Sequence, residues 1–430
     1  MLSNSDLHHK SEKPSVELLE NLWQHGVESV RGRESVKRYF AVHEKKNADY
    51  TVVAIGKAAT DMMLGAVDVL GSSLKSGLVL TKTDHLSDEL TRHSHIISHE
   101  SSHPVPDESS LEAGRILLDY ISSIPQEHKV LALISGGASS LVEVLIEDCS
   151  LDDLQRLSEW GLQGGLNINE INYMRQKISL IKGGKLCNYF NQNEVLCLYI
   201  SDVPEDNMNV IGSGLLYSDQ EMSELISPKM KSRIDNFLKG IISSLGQEQN
   251  LKPKQSLATF EHHMIANNAI AKEAVKQYAS ELGYTAYVSN DSIDMDYRDT
   301  ANMIMEKLRV AEPGVYIWGG EPTVELPEAP GNGGRNQALA LLLGVQLKDF
   351  THISLLVGGT DGTDGPTDAA GGVVDGQTYH NAINLGFEPE KVLKEANSYP
   401  CLKAVGSLFS PGPTGTNVMD LVIAIVEPKH

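Results

Sequence analysis

The sequence predicts an α/β protein of two domains, each built on a mainly parallel sheet flanked by helices, with a Rossmann-like N-terminal domain. Three observations lead to this. From residue 50 onward, short β-rich runs alternate with helical patterns, the order expected of parallel strands joined by helical crossovers. Two of the runs, Val130–Ile134 and Val195–Ile200, are continuously apolar, which suits strands buried on both faces. A length of 430 residues exceeds one ordinary domain and suits two or three.

Residues 15–40 read as helical, with Val16, Leu19, Leu22, Trp23, Val27 and Val30 at three- and four-residue steps. Strand-like runs follow at 50–55, 77–80, 130–134 and 195–200, and helical segments at 58–70, 108–122 and 151–162 lie between them. A polar stretch over 246–256, rich in Lys, Gln and Asn, reads as a linker or domain edge. The grammar then resumes with runs at 285–288, 314–318, 353–357 and 421–426 and an apolar helix at 338–347. The boundary falls near 250–310, giving an N-terminal domain over 1–300 and a C-terminal domain over 301–430.

Composition narrows the function classes. With 57 acidic against 36 basic residues the net charge is −21, unsuited to a phosphate-backbone binder that must displace counterions. A small anionic substrate remains compatible, because a pocket can be locally positive on an acidic surface. The longest apolar stretches fall short of the ~20 residues of a spanning helix, and the polar residues 1–14, with no apolar h-region, are not expected to be a signal peptide. Four cysteines without paired spacing read as free thiols, and a cytoplasmic location is expected.

The candidate chemistry lies just after the strand-like runs, where open parallel sheets bind ligands. Gly56 and Lys57 follow the first run; Gly56 permits a sharp turn, and a lysine opening a helix opposes the macrodipole unless an anion binds there. Ser135, Gly136, Gly137 and Ser139 follow the third, where converging backbone N–H groups and serine hydroxyls would cradle a phosphate or carboxylate. Asp202 follows the fourth and suits a metal ion or a donor hydroxyl. In the C-terminal half, Glu321 lies in a Gly-Gly-Glu-Pro-Thr cluster, and Arg335 stands where a guanidinium at a helix start would clamp a phosphate. Asp361, Asp364 and Asp368 supply three carboxylates within eight residues, enough hard oxygen for Mg²⁺ and one base besides. The histidines at 85, 93, 95, 99 and 103 lack consistent ligand spacing and do not read as a metal site. Neither a GxxxxGK[ST] loop nor a strand-borne GxGxxG is present, so an ATP site must be built differently.

Taken in order, GKAA at 56–59, HPVPDESS at 103–110, SGGASS at 135–140, the IN-x-x-R stretch at 171–175, IKGGKL at 181–186 and SDVP at 201–204 resemble the N-terminal part of class II glycerate 2-kinases. GGEPTV at 319–324, GGRNQALAL at 333–341, GGTDGTDGPTDAAG at 358–371 and GPTGTNVMDL at 412–421 resemble that family's C-terminal MOFRL domain. The chain departs at Ala138, where the family usually has glycine, and at Leu215, where proline usually follows the Ser-Gly pair.

The resemblance implies ATP- and Mg²⁺-dependent phosphorylation of D-glycerate to 2-phospho-D-glycerate in a cleft between the domains, with Lys57, Arg335 and Asp361 catalytic. Arg175, Asn268, Asn336, Thr360 and Thr416 join Gly56, Ser135, Gly136, Gly137, Ser139, Asp202 and Glu321 as expected binding residues. Asp202 and Asp364 are the expected magnesium ligands. Partners are then two small molecules, with no nucleic acid and no membrane, and a homodimer stays open. The alternatives are an NAD(P)H-dependent hydroxypyruvate reductase, a kinase of a related small hydroxy acid, and a non-catalytic sugar-phosphate sensor.

Overall fold

The computed structural model describes residues 14–217, 224–242 and 257–429. They form two compact units: residues 30–267 with 415–418, and the helix Pro14–Ser29 with residues 268–414 and 419–429. Among the described residues no helix is long and apolar enough to cross a membrane.

The first unit is a wholly parallel six-stranded sheet of order β3-β2-β1-β4-β5-β6. Its strands are β1 (Tyr50–Ile55), β2 (Leu74–Lys82), β3 (Ile96–Ser101), β4 (Lys129–Ile134), β5 (Glu194–Ile200) and β6 (Thr259–Ala266). This is the doubly wound Rossmann order, whose switch point lies between β1 and β4. Every residue of β1 is buried, and β4 is buried from Val130 onward. Each such Val, Leu or Ile contributes about 1.5–3 kcal/mol of burial. The helix Ala59–Leu70 is packed on β1 and β2 from one side and by the helix Gly32–Val42 from another, so Met62 and Met63 are wholly buried. The apolar-run pattern finds the four inner strands and misses β3 and β6. Both are edges of the sheet and carry polar residues such as His99, Glu100, Glu261 and His263, so no continuous apolar run marks them.

The second unit holds β7 (Ala286–Ser292), β8 (Gly314–Gly320), β9 (Ile353–Gly359), β10 (Gly371–Asp375), β11 (Leu408–Phe409) and β12 (Asp420–Val426), in the order β11-β10-β9-β12-β8-β7. The α/β class holds, but this sheet is mixed rather than mainly parallel: only β7 and β8 pair in parallel. β9 reaches β10 through a loop without a helix, which allows antiparallel neighbours, and β12 inserts antiparallel between β8 and β9.

The units also divide elsewhere than at residue 300. Residues 268–300 go with the second sheet, because the helix Asn268–Glu281 packs on β7 and β8 and β7 pairs with β8. The helix Pro14–Ser29 goes there too, against β12 and the helix Asn268–Glu281. Its Trp23 is fully buried, meets Phe409 edge-on at 4.8 Å and donates from Nε1 to the Gly358 carbonyl at 3.4 Å. Periodicity marks an amphipathic helix without naming the sheet it covers. The linker expected at 246–256 lies outside the described residues.

Candidate functional site

In the first unit the loops after β1 and β4 meet at the switch point. The Lys57 amide donates to the Gly136 carbonyl at 2.9 Å, and the Ala58 amide donates to Ser135 Oγ at 3.1 Å. Gly56 adopts φ +129°, and a Cβ there would lie 2.2 Å from Ser135 Oγ, so only glycine admits this contact. Lys57 stands in the turn before the helix Ala59–Leu70 rather than in its first turn. Ser135 is wholly buried and ties the two loops together, so its hydroxyl does not face a ligand as the sequence suggests.

Asp202, after β5, lies directly over the same loop. A Cβ on Gly136 would sit 1.7 Å from Asp202 Oδ2, and that oxygen accepts from Asn417 Nδ2 at 3.2 Å. A Cβ on Gly137 would come 3.1 Å from His103 Nε2 and 3.2 Å from Lys57 Cγ. His103, set aside with the other histidines in the sequence, therefore stands beside Lys57. Its signal was the HPVPDESS motif rather than any ligand spacing. Asn417 is the other residue of this cluster that sequence reasoning missed.

Arg175, near the end of the helix Ile168–Ile178, donates from Nη1 to Ser139 Oγ at 3.2 Å. Burial pulls its pKa down, while the charge of Glu143 works the other way. Beside it Glu143 and Lys182, each 1% exposed, form a buried ion pair, and Ser179 Oγ donates to Glu143 Oε1 at 2.6 Å. Burial lowers the Lys182 pKa and Glu143 opposes that shift. Thr416 is 3% exposed and donates to the Val30 carbonyl at 2.7 Å, so its hydroxyl serves the backbone rather than a ligand.

In the second unit β12 begins where β8 and β9 end. Asp420 pairs with Gly320 on one side and Gly359 on the other, at the strand edge that carries Glu321 and Asp361. Arg335 opens the helix Arg335–Gln346 and reaches into this corner. Its Nε donates to Asp420 Oδ2 at 2.8 Å and its Nη2 to Asp420 Oδ1 at 3.3 Å, while Nη1 meets Glu321 Oε1 at 2.6 Å. Burial works to discharge the guanidinium, but Asp420 and then Glu321 outweigh it and hold its pKa above the ordinary value. Asp420 is 1% exposed and was overlooked as a functional residue, although it lies in the 412–421 motif. Asn268 Nδ2 in turn donates to the Asp420 carbonyl at 3.1 Å, a supporting place rather than an open one.

Asp364 corrects another expectation. Its carboxylate accepts from the Asn336 amide at 3.2 Å, the Gln337 amide at 2.9 Å and Gln337 Nε2 at 3.1 Å. It caps the helix that Arg335 opens, whose own N-cap, Gly334, has no side chain to do so. Burial pushes its pKa up to about 7. With its oxygens engaged and 5% exposure, Asp364 does not fit a magnesium ligand. Asn336 is wholly buried, and both its side-chain polar atoms lack hydrogen-bond partners among the described residues. Thr360 is buried too and donates to the Met419 carbonyl at 2.6 Å. Asp361 is half-buried, and its Oδ1 accepts from the Thr363 amide at 3.0 Å and hydroxyl at 3.1 Å. Among the described residues no three His, Cys, Asp or Glu side chains gather as a metal cage.

Each unit thus brings a cation and carboxylates together at the carboxyl ends of its strands. Residues 18–235 match the family described as a domain of unknown function (DUF4147), and residues 314–420 match the MOFRL family. The chain is 36% identical to a D-glycerate 2-kinase of Thermotoga maritima, covering 89% of this chain and 92% of that one. It is 37% identical to a glycerate 2-kinase of Pyrococcus horikoshii, covering 88% of each. A putative hydroxypyruvate reductase of Agrobacterium vitis is 32% identical over 88% of this chain and 87% of its own. The crystal structure of a glycerate kinase from Thermotoga maritima superposes with a TM-score of 0.81 at 33% identity, covering 95% of this chain and 99% of that one.

Proposed function

The chain belongs to the class II glycerate 2-kinase family, and on that premise we propose that it transfers the γ-phosphoryl group of ATP to the 2-hydroxyl of D-glycerate. The observation that carries this reading is the meeting of the Lys57 and Gly136 loops at the β1/β4 switch point. Phosphoryl transfer needs positive charge on the transferring oxygens and an oriented hydroxyl, with little covalent work for the protein. In this reading Lys57 and Arg335 stabilise the charge that develops on the phosphoryl group, and Asp361 orients or deprotonates the glycerate hydroxyl. Gly56, Gly136 and Gly137 bring backbone close to the ligand. Glu321 and Asp420 keep the Arg335 fork aimed.

Magnesium, the metal we expect with ATP, fits Asp202 as a ligand of the ion or of its waters. Such ions keep most of their shell from phosphates and water, so one or two protein carboxylates suffice. When bound, it would neutralise phosphate charge. With free cysteines at 149, 187, 197 and 401, we also place the protein in the cytoplasm.

The test is an ADP-coupled assay with D-glycerate and NMR of the product to locate the phosphate. Lys57→Ala and Arg335→Ala, each folded as the parent, are expected to lose about a hundredfold or more in kcat. Near-full turnover by both would overturn the assignment. The Agrobacterium relatives' name suggests a second reading, an NAD(P)H-dependent reductase. The turn after β1 reads Gly-Lys-Ala-Ala and lacks the dinucleotide glycines. Cofactor oxidation with hydroxypyruvate and no ADP formation with glycerate would favour that reading instead.

A further inference from the structure

Behind the loop after β4, four side chains form one directed chain of hydrogen bonds. Arg175 Nη1 donates to Ser139 Oγ at 3.2 Å, Ser139 and Ser213 share a hydrogen bond at 2.7 Å, and Ser213 Oγ donates to Asn172 Oδ1 at 2.7 Å. A hydroxyl has one proton. With Asn172 Oδ1 facing it, Ser213 spends its own proton there, and Ser139 is then the donor between the two serines. Ser139 then has no proton left for a ligand. It accepts from Arg175 and passes the chain inward. The serine read from sequence as an anion donor thus holds the arginine instead.

Two further observations show that this relay is specifically held. Ser213 adopts φ +57° between Gly212 at +58° and Gly214 at +68°, a left-handed conformation that costs a non-glycine residue about 1 kcal/mol or more. A glycine would take it without strain. The serine hydroxyl is what the position gains, and both it and Asn172 are 1% exposed. The turn is pinned by the Gly183 amide on the Ser213 carbonyl at 3.0 Å and the Gly184 amide on the Gly214 carbonyl at 2.6 Å. The second observation is Arg175 itself. Its guanidinium is partly buried, and among the described residues it forms no ion pair with a carboxylate. A cation withdrawn from water and bonded to a neutral hydroxyl is short of an anion.

We propose that Ser213 and Asn172 are positioning residues which, through Ser139, hold Arg175 to receive a substrate oxyanion, either the glycerate carboxylate or a phosphate of ATP. The identity of the ligands rests on the kinase reading; the relay itself does not.

The experiment measures Kd for D-glycerate and for ATP by calorimetry, alongside KM and kcat. It uses the full-length wild type, Ser213→Ala, Ser139→Ala, Ser139→Thr, Arg175→Ala and the Ser213→Ala/Arg175→Ala double variant. Ser213→Ala and Ser139→Ala should each raise Kd and KM for one of the two ligands by about ten- to a hundredfold, the loss of one charge-assisted contact, with kcat within about threefold. Ser139→Thr keeps the hydroxyl and should restore binding. The double variant should bind no worse than Arg175→Ala alone, because the serine acts only through the arginine. A rise for glycerate identifies the carboxylate, and a rise for ATP identifies the phosphate. Unchanged Kd values, a loss for both ligands together, or effects that multiply in the double variant would overturn the relay. A wild type that binds with these couplings yet forms no ADP would sink the kinase reading and leave the relay standing.

Discussion

Removing the Asp420 carboxylate tests how far Arg335 depends on its fixed partner. The perturbation is local, because Asn268 holds the Asp420 main-chain carbonyl and not its side chain. Asp420→Ala abolishes two charge-assisted bonds, at 2.8 and 3.3 Å, and leaves the guanidinium with Glu321 alone. Breaking a buried pair from one side costs about 3–5 kcal/mol. Arg335 is about one-third exposed and retains one partner, so the lower end, about 3 kcal/mol, is expected in urea unfolding. The larger effect should be on turnover, since on the proposed reading Arg335 stabilises the phosphoryl group and its fork loses its aim. A fall in kcat of about a hundredfold is expected in the ADP-coupled assay. Asp420→Asn keeps the shape and one acceptor and should fall between. If Asp420→Ala folds, loses stability as expected and still turns over within twofold of the parent, Asp420 does not position a catalytic arginine.

The buried pair of Glu143 and Lys182 invites a double-mutant cycle. Glu143→Leu and Lys182→Met should each cost about 3–5 kcal/mol in urea, because each strands the other charge, while the double variant should lie within about 1 kcal/mol of the parent. Additive losses would show that the pair is not coupled. Asp364 should make stability depend on pH. Its folded pKa, about 7, lies above the ordinary carboxylate value of 3.8, so between those limits the folded chain keeps a proton that the unfolded chain releases. The stabilisation is full below about pH 4 and is lost as pH rises through 7. Thermal unfolding from pH 5 to 8 should show this decline, and Asp364→Asn should flatten it; equal slopes in the two proteins would refute the assignment.

The inner strands of the first sheet were legible because they are buried on both faces and so read as apolar runs. Its edges, β3 and β6, were not, because an edge strand is half solvated and its composition resembles a loop. The same contrast separates the site residues. Gly56 and Lys57, Gly136 and Gly137, Arg335 and Asp361 announce themselves by residue type immediately after strands or at a helix start. Asp364 was visible as a carboxylate, yet its role as the remote cap of the Arg335 helix was not, because the hydrogen bond spans 27 residues of sequence. His103 and Asn417 were marked only as members of the motifs at 103–110 and 412–421, and neither motif told that its residue would stand beside the first-unit loops.

Alternation, apolar runs and glycine-bearing turns are local properties, so the chain's order alone determines an α/β protein with loops at strand ends that carry cations and carboxylates. Which strands become neighbours, and hence that β1 meets β4 and that β12 lies between β8 and β9, is decided only when distant segments bury their faces against one another. Hydrogen-bond direction follows from that placement too. A serine becomes a donor to ligand or a support for arginine according to which partners packing brings within hydrogen-bonding reach, and residue type carries no record of that choice.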